Sequence, residues 1–392
     1  TVGACGAPAV GEDSAVAEET ASSLSPEAGV SVSLVIYSGR SEVLIQPVIE
    51  AFKAKYPNVE VLLKAGSNSE LANALIEEKS NPQADVFITT ELFTVQSLAQ
   101  EGVFASYSPL GSDQFSPEFL GAENAWIGLT RRARVIMYNK DLVSEDELPT
   151  SIFDLTDPKW RGQIAAAGST NGSMQAQIAA MRQLLGEEET EAWLNGLLAN
   201  EVTFFGGHTD VRKAVGAGEF KLGLVNHYYF HLQLAEGSNV GVIFPDQGEG
   251  QVGLFTNATA VAVVKGGKNL PAAQAFLDFL VSAEGQKLFA EQNYEYPLLL
   301  GVALKEGVQP LDGFRLADVD VVLFGFGQIG REFTRLLGRG KARGLVRVVA
   351  VCDRSGYVFD ADGLGARRLA ALAAHKESGA SLATAEGGQR QH

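Results

Sequence analysis

Cysteine is scarce: Cys5 and Cys352 are the only two in 392 residues. They sit at opposite ends in unlike contexts, which excludes a disulfide framework. No apolar run reaches the ~20 residues of a membrane-spanning helix. Basic residues are outnumbered 31 to 47, for a net charge of -16, so nucleic acid is excluded as a partner for the whole chain. What is present is ordinary: 46% hydrophobic and 20% charged residues, a soluble globular composition. The length suffices for two or three domains with sizeable cores.

The two ends differ from the middle. Val2-Gly3-Ala4-Cys5 resembles a bacterial lipobox, which makes Cys5 a candidate for lipidation and the membrane contact an anchor only. Residues 6–30 carry Glu12, Asp13, Glu18, Glu19 and Glu27 with no Lys or Arg, and read as a flexible acidic tether, so residues 1–30 form a lipobox remnant plus tether. Residues 321–392 hold 11 basic and 6 acidic residues, against 20 and 41 in the rest. That swing marks a second composition.

Between the ends, strand and helix patterns alternate. "VSLVIYSG" and "ADVFITT" are short β-branched runs closed by turn residues. "SEVLIQPVIEAFKAKYP" and "SNSELANALIEEKS" have helical spacing, the second opening on capping residues. "LPAAQAFLDFLVSAEGQKLFAEQ" reads as one long amphipathic helix. The alternation predicts an α/β fold with a largely parallel sheet. Within it, "NHYYFHLQLA" sets Tyr228 beside Tyr229 at a strand-to-helix changeover. Neighbours on a helix point about 100° apart, so one packing surface rarely wants both.

"LVIYSGRSE", "RVIMYN", "PKWRGQI", "NGSMQAQ", "LGLVNHYYF" and "NYEYP" occur in the order of a known family. Over residues 31–320 the chain resembles the ferric-ion-binding proteins of bacterial ABC importers. The resemblance implies a two-lobe periplasmic-binding-protein fold with crossover strands. Residues 31–125 and 257–300 would form lobe 1, and 126–256 and 301–320 lobe 2. It also implies a non-enzymatic, monomeric, extracytoplasmic Fe(III) receptor that serves an ABC importer permease. The ion would be held in the inter-lobe cleft by Tyr37, Tyr138, Tyr228 and Tyr229. Fe(III) is a hard cation suited to phenolate, and a metal that displaces the phenol proton ties retention to pH. The histidine that some family members add just after the first strand is absent from "YSGRSEV". Arg40 and Ser38, at a helix N-terminus, could hold a synergistic anion such as carbonate; Arg132 and Arg134 are weaker candidates. His227 and His231 are spaced i,i+4 as a zinc pair can be, but no third ligand is suggested.

"VDVVLFGFGQIGREFTRLL" reads as strand, Gly325-x-Gly327-x-x-Gly330 and helix, and "VRVVAVCD" ends on Asp353. This segment resembles the start of a homoserine dehydrogenase. As residues 321–392 alone it is a partial Rossmann-like βαβ fragment, an incomplete dinucleotide-binding unit read as a non-functional fusion. The rival readings are a small-anion or small organic solute receptor on the same fold and, from another class, an NAD(P)-dependent dehydrogenase.

Overall fold

The structure is a computed structural model and describes residues 32–317, 319–324, 346–353, 356–359, 364, 366–386 and 388–389. In chain order the main elements are β1 (Val32–Ser38), α1 (Glu42–Lys55), β2 (Val59–Ala65), α2 (Asn68–Glu77), β3 (Val86–Thr89), α3 (Leu92–Gln100) and β4 (Ile127–Asn139). Then follow β5 (Ile164–Ala167), α4 (Gly172–Leu185), α5 (Glu187–Ala199), β6 (Thr203–Phe205), α6 (His208–Gly216), β7 (Leu222–Asn226), α7 (His227–Ala235) and β8 (Val240–Ile243). The chain continues through β9 (Thr256–Val263), α8 (Leu270–Val281), α9 (Ala283–Asn293), β10 (Tyr296–Pro297), β11 (Val319–Phe324), β12 (Val346–Asp353), β13 (Gly356–Phe359), α10 (Ala366–Glu377) and β14 (Gly388–Gln389).

The chain divides into two compact units. The first runs to Ser112 and adds Gly121–Leu129 and Thr259–Gln292; the second holds Asp113–Leu120, Thr130–Ala258 and the residues from Asn293 onward. The chain therefore crosses from the first unit within β4 and returns within β9.

In the first unit β1 pairs parallel with β2 and β3, and β9 lies antiparallel on β3. Helix α2 opens on a capping box: Ser67 Oγ accepts from Glu70 N–H at 3.2 Å, and Glu70 returns an acceptor to Ser67 N–H at 3.0 Å. The core includes Leu71, Leu75, Phe87, Val95, Leu98 and Trp126. The single helix expected over 270–292 is two. Ser282 leaves helical geometry (φ -65°, ψ 160°), and its hydroxyl accepts from Gly285 N–H at 3.2 Å, which starts α9.

In the second unit β5, β6 and β7 are parallel, with the order β7-β5-β6. Strand β4 runs antiparallel to β7, and β8 and β10 are antiparallel to β4. The sheets are thus mixed rather than largely parallel, because the two crossing strands, β4 and β9, oppose the βα units they join. Ile136, Ile164, Leu222 and Leu224 meet Met174, Met181, Trp193 and Leu197 in the core.

At the C-terminal end β11 pairs parallel with β12, β12 antiparallel with β13, and β13 antiparallel with β14. Val351, Val358, Leu364, Leu369, Leu372, Ala373 and Leu382 form a separate small core. Gly325, Gly327 and Gly330 lie outside the described residues, as do Cys5 and the tether. The backbone of Asp353 ends β12. Among the described residues no helix is long and apolar enough to cross a membrane.

Candidate functional site

The parallel strands β5, β6 and β7 end where α4, α6 and α7 begin, and open α/β sheets place ligands at such carboxyl ends. In the second unit this end of the sheet carries a buried polar cluster. Arg134 on β4 is paired in register with Asn226, the last residue of β7. Its guanidinium is buried and donates from Nε to Gln177 Oε1 at 2.9 Å and from Nη1 to Asn226 Oδ1 at 3.0 Å. His208 Nε2, at the first residue of α6, lies 3.2 Å from the same Nη1. Nη2 is buried with no hydrogen-bond partner in the protein.

Burial pushes the basicity of His208 well below the usual histidine range, and the charges of Arg134 and Arg132 push the same way. The ring is therefore neutral and accepts from the guanidinium. Burial also lowers Arg134, with Arg132 adding to it, while Tyr228 and Tyr229 oppose that shift through their charged forms.

Tyr228 and Tyr229 lie in the first turn of α7, buried, with ring centroids 4.5 Å apart and planes tilted by 36°. Such a pair contributes about 0.5–1.5 kcal/mol beyond its area. Tyr229 also meets the His208 ring at 5.2 Å. Asn226 is the N-cap of α7 by position, but its side chain makes no capping bond. It accepts from Arg134 and donates to Ser173 Oγ at 3.1 Å and to Tyr228 Oη at 3.3 Å. The N-terminal end of a helix also favours negative charge. Two phenols, a buried cation and a helix N-terminus therefore converge on one place.

The other expected residues are placed differently. Strand β4 is antiparallel to β7, so the carboxyl end of β4 lies at the amino end of β7. Tyr138 pairs with Leu222 there, four residues and about 13 Å along the strand from Arg134. It packs in the core with Ile136, Val143 and Leu222. Burial, then the charge of Glu145, raises its phenol. The structure does not bring Tyr138 to the pair.

Tyr37, in the first unit, is buried in that unit's core. Its Oη donates to Glu78 at 3.0 Å, and Lys64 Nζ lies 4.3 Å from the ring centroid. Burial and Glu78 raise this phenol, partly opposed by Lys64. Arg40, also buried there, donates from Nη1 to Thr259 Oγ1 at 3.0 Å and stands 5.4 Å from the Phe289 ring, and Ser38 Oγ accepts from Arg40 N–H at 3.2 Å. Both nitrogens of His227 are committed to backbone groups, so it cannot pair with His231 on zinc without losing a bond. Among the described residues no group of three or more His, Cys, Asp or Glu could hold a metal.

Sequence reasoning missed His208, Gln177, Asn226 and Ser173 and ranked Arg134 low. Asn226 was the findable one: an Asn at a strand end directly before a helix is a signal, and it adjoins the tyrosines.

Residues 81–321 match the family described as bacterial extracellular solute-binding protein. The chain is 36% identical over 290 residues to iron uptake protein A1 of Synechocystis sp., covering 71% of this chain and 79% of that protein. It is 32% identical over 293 residues to the Fe(3+)-binding periplasmic protein of Serratia marcescens, covering 73% and 85%. Among solved structures, iron-bound HitA from Pseudomonas aeruginosa superposes with a TM-score of 0.66 at 32% identity, covering 72% of this chain and 91% of that one.

Proposed function

This chain belongs to the bacterial extracellular solute-binding proteins, and on that premise we propose that it is an extracytoplasmic Fe(III) receptor that delivers iron to an ABC importer permease. The observation that carries the reading is the closely packed, tilted Tyr228–Tyr229 pair set beside a buried arginine. The names of its relatives support the choice of metal.

In this reading Tyr228 and Tyr229 bind as phenolates. Arg134 balances their charge and aims its unpartnered Nη2 donor at a synergistic anion, for which carbonate has the right planar shape. The anion is assigned to Arg134, which shares Asn226 with Tyr228, rather than to Arg40, which belongs to the first unit. Tyr138 is left out of the ligand set because it packs in the core at the other end of β4 from Arg134, and Tyr37 because it lies in the core of the first unit with its hydroxyl donated to Glu78. Anchoring through a lipidated Cys5 is part of the same proposal.

The test is optical. Purified protein supplied with Fe(III) and bicarbonate should develop a phenolate-to-iron charge-transfer band. Tyr228→Phe and Tyr229→Phe should each weaken or shift it and cost more than the ~10–100-fold that outer-shell changes typically cost. Each phenol binds by releasing a proton, so affinity should fall as pH falls, by about tenfold per phenol per pH unit below the phenol's own titration. A colourless protein that takes up no Fe(III) refutes the proposal. The unpartnered Arg134 donor also suits a plain anion receptor; that reading requires anion binding without metal and indifferent to the tyrosines.

A further inference from the structure

We infer that His227 is the positioning residue of the tyrosine pair: it fastens the first residue of α7 to two backbone groups of its own unit, so that Tyr228 and Tyr229 stay aimed at one point. The inference deepens the iron reading and rests on it for the role of the pair. His227 is fully buried. Its Nδ1 accepts from Ala133 N–H at 3.2 Å, and its Nε2 bonds the Tyr294 carbonyl at 2.8 Å. An N–H can only donate and a carbonyl can only accept, so the partners select the neutral tautomer with its proton on Nε2. The ring also stacks on Tyr296, with centroids 4.2 Å apart and planes 22° apart.

Each partner is fixed in turn. Ala133 lies in β4 between Arg132 and Arg134, so the first bond ties α7 to the strand that carries the cation of the site. Tyr296 pairs with Arg131 on the same strand through β10, which anchors the neighbourhood of the Tyr294 carbonyl. Tyr294 has a φ of 60°, a left-handed conformation that a side chain of this size rarely adopts. The carbonyl that receives the histidine proton is thus presented by an unusual backbone. The start of a helix needs none of this for its own sake, because its first N–H groups have no intrahelical partner and small or acidic residues suit it. A buried side chain at the start of α7 with both polar atoms committed, one to β4 and one to the segment before β10, makes sense if the direction of the next two residues matters. Misplacement of a site group by about 1 Å can cost about 10²-fold in function.

The test compares wild type with His227→Phe, which keeps a ring for Tyr296 but makes neither bond, and His227→Gln, which can restore the donor to Tyr294. The full-length protein is loaded with Fe(III), and release to excess citrate is followed by the charge-transfer band. The Phe variant should release iron about 10-fold faster or more, with a displaced band. The Gln variant should fall between it and wild type. In metal-free protein, amide exchange at Ala133 and in the first turn of α7 should speed up in the Phe variant. A Phe variant with wild-type band and release rate overturns the inference. Should it fail to fold, the Gln variant decides: wild-type release together with faster exchange at Ala133 overturns it, and intermediate release with a displaced band upholds it. If wild type binds no iron, the iron reading falls by itself, and exchange alone decides positioning: unchanged protection of the first turn of α7 in either variant would end it.

Discussion

The phenol of Tyr138 lies against Gly241 on β8, where the Cβ of any larger residue would collide with the ring. Its phenol therefore serves packing, in a slot made by the absence of a side chain opposite. Tyr138→Phe should leave the charge-transfer band and the iron release rate unchanged and shift unfolding by less than ~1 kcal/mol, since a neutral hydroxyl is all that is lost. Loss of the band in this variant would return Tyr138 to the ligand set. The pair itself was legible from the sequence because two adjacent tyrosines at a changeover are hard to explain as packing. Arg134 was underweighted because a charged residue inside an apolar strand gives no hint of its partners. Gln177 and His208 come from separate helices, and only the fold shows that they share a guanidinium.

Elements carried more of their own signal than their directions did. Strand β1 and helices α1 and α2 begin and end close to where composition and capping residues place them, because those boundaries are set locally. The direction of β4 is set by a partner, β7, some 90 residues away, and Tyr138 was misplaced for that reason. The break between α8 and α9 was hidden because the apolar period runs through Ser282. Two capping-type residues show the contrast in a testable form. Ser67 uses its side chain to cap α2, so Ser67→Ala should cost about 1 kcal/mol in denaturant unfolding and leave iron binding alone. Asn226 makes no cap and instead joins Arg134, Ser173 and Tyr228. Asn226→Ala should keep helix content by circular dichroism yet speed iron release by about 10-fold or more. It should also cost about 1–3 kcal/mol, because a buried guanidinium loses an acceptor. Equal iron release in the two variants would mean that Asn226 has no part in the site.

For the molecule as a whole, the open issue is what the residues beyond 320 contribute. Leu254 N–H donates to the Arg315 carbonyl at 2.9 Å and Ala317 N–H to the Leu254 carbonyl at 3.0 Å, so the second unit holds the chain firmly as far as Ala317. Ala317 is also the last described residue packed on that unit's main core. Past it, Val351, Val358, Leu364, Leu369, Leu372, Ala373 and Leu382 pack with one another, all from their own segment. Charge separates at the same place: without residues 321–392 the net charge moves from -16 to -21, since that stretch holds 11 basic and 6 acidic residues. The one point of tension is that the backbone of β11 runs beside α4, the helix that supplies Ser173 and Gln177 to the site. Deleting 321–392 should nevertheless leave the charge-transfer band in place and iron release within about twofold of full length, because Arg134 takes its partners from β7, α4 and α6, none of which lies in the deleted segment. The full chain should also show no change in NADH fluorescence at micromolar protein. A truncated protein that folds but releases iron an order of magnitude faster would show that β11 braces α4 under the site, and the C-terminal sheet would then count as part of the receptor.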